Sequence, residues 1–262
     1  MTCVVFGAGL VGSFLGAAAG APWASRRRAG RIHERVVLPR GEINWDPFGE
    51  PAAETPVLIA TRCHQTLWSA FSGCHLAAQN GLGQPCAVAV CFMAIDRDAA
   101  GRILSAGPEP RVVLGRLDQV WQPVITAWRS AGIIVEEIDD VRPAQWEKAI
   151  LNATLGPICL ATGLSMRAAW ADTELRQLVL SATDEGHRVA SLAAVAIPPG
   201  LRDRTIAFFD RTGSHRPSVL ADPGEIPWTL GRLRDVARQH SLPVPALDRI
   251  ERMAAQSLSG AA

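Results

Sequence analysis

The chain contains no tyrosine, which excludes any mechanism with a tyrosine acid, including the Tyr–Lys pair of short-chain dehydrogenases. No apolar run approaches the ~20 residues that a membrane span needs. Net charge is nearly absent: 26 Lys+Arg against 25 Asp+Glu leave +1, which gives no reason to expect nucleic acid or a membrane surface as partner. The six cysteines (Cys3, Cys63, Cys74, Cys86, Cys91 and Cys159) form no C-x-x-C, and none stands at zinc-like spacing from histidine, so no metal site is expected. Their apolar surroundings suit small buried hydrophobes in a reducing cytoplasm. No basic n-region with a cleavage site precedes the first apolar segment, and no signal peptide is expected.

What is present begins at once. Residues Thr2 to Gly20 read TCVVFGAGLVGSFLGAAAG: a short apolar strand, a glycine turn, then a helix of small residues. This combination builds an anion site out of backbone. Gly7 permits a tight turn, Gly9 lets the chain approach a pyrophosphate, and Gly12 lets the helix pack on the strand. The helix starting near Leu10 points its free N–H groups and positive dipole end at the phosphates. The candidate dinucleotide contacts are therefore Gly7, Ala8, Gly9, Leu10, Val11 and Gly12.

At 262 residues, 48% of them hydrophobic, the chain can bury one large domain or two modest ones. Its first part alternates apolar strand candidates (3–6, 57–60, 75–78, 87–91, 111–114 and 133–138) with helix candidates (11–19, 65–72 and 117–131). Such interleaving argues a parallel sheet covered on both faces. Residues 29–55 lack periodicity and carry charges, Pro and Gly, so an irregular excursion is expected there. From Pro143 onward the chain reads helical, with candidates at 144–155, 173–195, 201–209, 227–240 and 245–257. The expected architecture is α/β: a Rossmann-type domain over 1–140, then an all-helical substrate or dimerisation domain over 141–262.

Sites specific for NAD place a carboxylate about 20 residues past the glycines to hold the ribose 2′-OH, whereas Arg accommodates a 2′-phosphate. The corresponding stretch here is Ala24-Ser25-Arg26-Arg27-Arg28, with no carboxylate until Glu34. Clustered guanidiniums suit a phosphate dianion. The cofactor is read as NADPH, with Arg28 as the main 2′-phosphate contact and Ser25 and Arg27 as helpers.

Three further segments join the glycine turn: Gln79-Asn80-Gly81-Leu82-Gly83, Trp146-Glu147-Lys148 with Asn152, and His215-Arg216-Pro217-Ser218-Val219-Leu220 followed by Gly224-Glu225-Ile226. In this order and spacing, from Thr2 to about Met253, the chain resembles the ketopantoate reductases, NADPH-dependent 2-dehydropantoate 2-reductases. The resemblance implies that Lys148 is the catalytic acid at the keto oxygen and that Asn152 binds substrate. It implies that Asn80 lies by nicotinamide and substrate, that Ser218 binds the substrate carboxylate, and that Glu225 is the active-site glutamate near the nicotinamide ribose. It also implies a homodimer or monomer acting on a small molecule. Physics agrees with the pairing of Lys148 and Asn152, because residues i and i+4 project from one helix face, and a cation donating a proton stabilises the charge that builds on a carbonyl oxygen.

The chain also departs from that pattern. Thr61-Arg62 stands where the family has a lysine near cofactor and substrate. Gly156 replaces a second asparagine one turn past Asn152. Pro227, Trp228 and Leu230 alter the segment after Glu225, and the interval from Ser218 to Glu225 is short by ~4 residues, about one helical turn. The loops around 29–55 and 91–111 read as trimmed. Loss of an amide changes the hydrogen bonds offered to a polar substrate, so the expected reaction is reduction of C=O on a small carboxylate-bearing substrate other than ketopantoate. An imine reductase and a non-catalytic NADPH-binding sensor or scaffold are the alternatives.

Overall fold

The computed structural model describes residues 3–7, 9–21, 23–24, 34–45, 55–66, 74–213 and 215–260. They divide into two units, Met1–Gln79 with Gln84–Val141, and Asn80–Gly83 with Arg142–Ala262. Residues 80–83, placed with the first domain on sequence grounds, thus belong to the helical unit.

In the first unit, strand β1 (Val4–Phe6) leads into helix α1 (Leu10–Ala19), then β2 (Trp23–Ala24). Two further strands, β3 (Glu34–Leu38) and β4 (Gly41–Trp45), precede β5 (Val57–Ile59), β6 (His75–Ala77) and β7 (Ala87–Phe92). The unit continues with β8 (Ile95–Arg97), β9 (Ile103–Ser105), β10 (Arg111–Leu114), α2 (Gln122–Ser130) and β11 (Ile134–Glu137). A seven-stranded sheet has the order β11-β10-β7-β6-β5-β1-β2. It is parallel from β2 to β7, with Val5 opposite both Leu58 and Trp23. The β10–β11 pair is parallel within itself and antiparallel to β7. Its inward residues Val5, Leu58, Leu76, Val112 and Leu114 are almost wholly buried. Only a 3-10 turn, Cys63–Gln65, follows β5 before the described residues stop, so most of the helix candidate 65–72 lies outside them.

Over 34–45, the described part of the stretch 29–55, the expectation of an irregular excursion is overturned, and the rest of that stretch lies outside the described residues, apart from Thr55. β3 and β4 pair antiparallel, β3 pairs parallel with β9, and β8 pairs antiparallel with β9, giving a second sheet β4-β3-β9-β8. The region read as a trimmed loop at 91–111 supplies half of it. Its charges are the solvent face of strands rather than a loop signal: Val36 and Leu38 are buried while Arg35 points out, the two-residue alternation of a half-buried strand. Arg97 grips Glu34 through two bonds of 2.7 and 2.9 Å, and Arg102 pairs with Asp98 and Glu42. Such exposed pairs add little stability each. Helix α1 packs on β1 and also on β3, β8 and β9, so Phe14 and Leu15 sit in a core shared by both sheets. The buried indole N–H of Trp128 on α2 donates to Leu15 O at 2.9 Å, tying α2 to α1.

The second unit is built around α3 (Arg142–Thr162), which packs against α4 (Met166–Ala171), α5 (Thr173–Leu192), α7 (Leu230–Gln239) and α8 (Pro245–Gly260). Helix α6 (Leu201–Thr212) packs on α4 and α5. Ser165 and Asp172 cap α4 and α5 by accepting from Ala168 N and Leu175 N. The buried Glu185 carboxylate accepts Ala246 N and Leu247 N, each at 2.9 Å, so its charge is matched by the positive end of α8. Helix α3 runs past Leu155, where the sequence candidate ends, despite Pro157. A proline clashes with the Cβ of a preceding helical residue, and Gly156 has none. The segment before α7, expected to be its first turns, is instead a 3-10 stretch, Pro223–Trp228. No described helix is long and apolar enough to cross a membrane.

All six cysteines are thiols. Burial pushes Cys3 and Cys159 up to about 12, so they are inert packing groups at neutral pH.

Candidate active site

The glycine turn divides its work among three positions. Gly7 has φ +118°, and a Cβ there would lie 2.6 Å from Thr61 N. At Gly12 a Cβ would lie 2.0 Å from Gly7 O, so α1 can approach β1 only without a side chain. Gly9 is different. Its φ of −76° suits any residue, and its Cβ would meet nothing within 4 Å. Gly9 is the N-cap of α1, no side chain caps the helix, and no acidic residue stands in the first turn. The N–H groups of Leu10, Val11 and Gly12 have no acceptor within the helix, as at every helix start. Open space, a positive helix end and no competing carboxylate fit a pyrophosphate. Ala8, Ser25, Arg27 and Arg28 lie outside the described residues.

Beside this turn, at the C-terminal ends of β5 and β6, Thr61 and Thr66 share a 2.8 Å hydroxyl contact, and the Gln79 amide donates to both, at 3.2 and 2.6 Å. The Cys63 thiol donates to Gln79 Oε1 and accepts from Gln84 Nε2. Half-buried Arg62 leads this turn, its carbonyl accepting the Thr66 hydroxyl at 2.9 Å. The sequence pattern singles out Thr61 and Arg62 and includes Gln79 in the Asn80 segment without a role, but it gives no sign of Thr66 or Gln84, which join because neighbouring strands end together.

In the helical unit, Lys148 and Asn152 stand one turn apart on α3, both half-buried. Asn152 Nδ2 is buried with no hydrogen-bond partner, a donor left for something the protein does not supply. The Lys148 ammonium lies 5.3 Å from the centre of the Phe208 ring. Next to it, buried Glu147 accepts Arg204 Nε at 3.0 and 3.1 Å and Arg204 Nη2 at 2.7 Å. The hydrogen bonds that Arg204 donates to Glu147 are the main reason its pKa rises above the ordinary value. The Asn80 loop is anchored on this unit: Gln145 Nε2 on α3 donates to Gly81 O at 3.3 Å, and Leu82 N donates to Trp228 O at 3.2 Å. Gln145 and the Trp228 carbonyl carry no sequence signal.

Glu225 is buried and accepts the Ser218 hydroxyl at 2.7 Å. A serine has one proton to give, and here it goes to Glu225, so Ser218 orients that carboxylate. Asp222 accepts Gly224 N at 3.0 Å and starts the 3-10 stretch that carries Glu225. At Gly156 a Cβ would lie 3.2 Å from Val219 Cγ1 and 3.6 Å from Pro217 Cβ. The third position along the Lys148–Asn152 face is thus covered by apolar atoms of the Ser218 segment. α3 packs against the 3-10 turn Ser218–Leu220, which packs on the 3-10 stretch Pro223–Trp228, and the Asn80 loop is bonded to α3 and to that stretch.

Lys148 is the only lysine in the chain; the remaining 25 of the 26 Lys+Arg are arginine. A guanidinium is effectively never deprotonated in a protein, whereas an ammonium can pass a proton to a strongly basic oxygen.

Comparison with known proteins bears on both units. Residues 140–257 match the family described as Ketopantoate reductase PanE/ApbA C terminal. No curated protein matches the chain. Among solved structures, 2-dehydropantoate 2-reductase from Methylococcus capsulatus aligns over 99% of this chain and 97% of its own, with TM-score 0.77 and 19% identity. The enzyme of the same description from Geobacter metallireducens aligns over 97% and 99%, with TM-score 0.77 and 20% identity. D-mandelate dehydrogenase, solved with NADH and anilino(oxo)acetate, aligns over 99% of each chain, with TM-score 0.79 and 16% identity. These likenesses establish the two-part fold, an α/β sheet unit followed by a helical unit.

Proposed function

We propose, for a chain that belongs to the ketopantoate reductase family and carries that family's C-terminal domain over residues 140–257, an NADPH-dependent reduction of a 2-oxo acid with Lys148 as the proton donor. The observation that carries this reading is the single lysine of an otherwise all-arginine chain, placed one helical turn from an asparagine whose buried Nδ2 has no partner.

NADPH, when bound, supplies the hydride that adds to the carbonyl carbon. The first turn of α1 holds its pyrophosphate, with Gly9 leaving the approach open, and Ser25, Arg27 and Arg28 are assigned to its 2′-phosphate. Thr61 and Arg62 line the turn beside it. Lys148 gives its Nζ proton to the carbonyl oxygen as negative charge builds there, completing the alcohol. Asn152 donates a hydrogen bond through Nδ2, Asn80 supports the same substrate from its anchored loop, and Ser218 holds Glu225 in one rotamer. Two structural neighbours support the substrate class: one is a 2-dehydropantoate 2-reductase, and the other is a D-mandelate dehydrogenase solved with anilino(oxo)acetate, an oxo acid. The apolar cover at Gly156 favours a substrate without the polar distal group of ketopantoate. The reading carries with it a cytoplasmic enzyme acting as monomer or homodimer.

The test is NADPH oxidation with ketopantoate, phenylglyoxylate and branched 2-oxo acids. At least one is expected to turn over, with NADPH preferred to NADH. Lys148→Arg, which keeps the charge and loses the transferable proton, is expected to lower kcat by about 10³-fold with NADPH affinity unchanged. Wild-type turnover by Lys148→Arg would remove Lys148 as the acid.

A further inference from the structure

We infer that one face of α6, carrying Arg204 and Phe208, is the positioning device for Lys148: Arg204 fixes the α3 backbone through Glu147, and the Phe208 ring fixes the ammonium. The inference rests on the reading of Lys148 as proton donor.

Arg204 and Phe208 are spaced i, i+4 and lie on one side of α6. Their targets, Glu147 and Lys148, are consecutive on α3. The guanidinium uses its whole fork. Besides the Glu147 carboxylate it donates Nη1 to Pro199 O at 2.6 Å and Nη2 to Pro198 O at 3.2 Å. One side chain thereby joins α3, the turn before α6 and α6 itself. A planar, bidentate grip of this kind sets orientation as well as distance.

Phe208 acts on the side chain. Its ring lies under Lys148 Nζ at 5.3 Å, inside the ~6 Å range in which an ammonium is drawn to an aromatic face. The ring is itself held. It meets Phe209 edge-on, with centroids 5.5 Å apart at 77°. Phe209 is buried and packs on Trp170 at 5.2 Å. The Trp170 indole N–H donates to Asp210 at 2.7 Å. A row of three rings therefore ends at Lys148. Lysine is a compact charge on a flexible stem, and proton transfer requires its Nζ at one place. The rigid row supplies what the stem lacks.

Because Lys148 is the only lysine, protein grown with labelled lysine gives one lysine side-chain signal. In the full-length wild type the Hε resonances are expected upfield of free lysine, from the ring current of Phe208. Phe208→Leu should return them to the free position and lower kcat about tenfold for whichever 2-oxo acid the wild type turns over, with the NADPH KM unchanged and the far-UV spectrum of a folded protein. Phe208→Tyr should keep the shift and the turnover. Arg204→Met should also reduce the shift; an unmoved signal there overturns the Glu147 half. An unmoved signal in Phe208→Leu, or equal losses in Leu and Tyr variants, overturns the Phe208 half. Inactive Lys148→Arg with fully active Phe208→Leu sinks the positioning role alone, whereas active Lys148→Arg sinks the acid reading beneath it.

Discussion

The two units make their candidate sites from opposite materials. In the α/β unit the site is made of missing side chains: Gly7 and Gly12 are required because a Cβ would strike Thr61 N or Gly7 O, and Gly9 leaves open space over the start of α1. In the helical unit the site is made of side chains whose neighbours hold them, such as Glu225 by Ser218 and Lys148 beside Phe208. A backbone site tolerates no addition. A side-chain site tolerates removal structurally and fails chemically.

That contrast can be broken at several places. The largest effect is expected from Gly12→Ala. A methyl 2.0 Å from a backbone carbonyl cannot be relieved by rotating a side chain, so stability should fall by about 3 kcal/mol, and NADPH binding should be lost. Denaturant unfolding measures the first and fluorescence titration the second; a wild-type midpoint would mean that the turn has slack. Asn152→Leu should do the reverse in the helical unit. It removes a buried donor that has no partner, so the unfolding midpoint should hold or rise, while KM for the oxo acid climbs about tenfold or more. A clear drop in stability would show that Asn152 serves the fold. The smallest effect belongs to Gly9→Ala. The backbone there is ordinary and the space open, so stability should not change, while NADPH Kd weakens by about tenfold as the methyl intrudes on the phosphate approach. Unchanged affinity would place the pyrophosphate elsewhere.

Much of the fold was legible because local pattern and tertiary role agree. The strand at 111–114 and the starts of α5, α6 and α8 fall where periodicity and breakers put them. The second sheet was illegible because its short strands carry charge on their outer face, and that face becomes readable only when β3 finds β9. α3 outran its candidate because Pro157 signals an end, while the glycine before it removes one of the clashes that would stop the helix. Of the candidate site, Gly7–Gly12 and the Lys148–Asn152 spacing could be read along the chain. Gln145, Arg204 and Phe208 could not, since each reaches its partner from a segment dozens of residues away.

The sequence by itself determined which chemistry is available. Glycine at 7, 9 and 12 leaves the start of the first helix open to an anion, and the one lysine, at 148, puts a single ammonium among guanidiniums. Only the tertiary structure decided where those groups are held and what surrounds them. It brought the Asn80 loop onto the helical unit, turned Ser218 toward Glu225, covered Gly156 with Val219 and set Phe208 under Lys148. The physical reason is range. Backbone permission and proton affinity belong to one residue, whereas position, burial and hydrogen-bond satisfaction are shared with partners that only folding brings near.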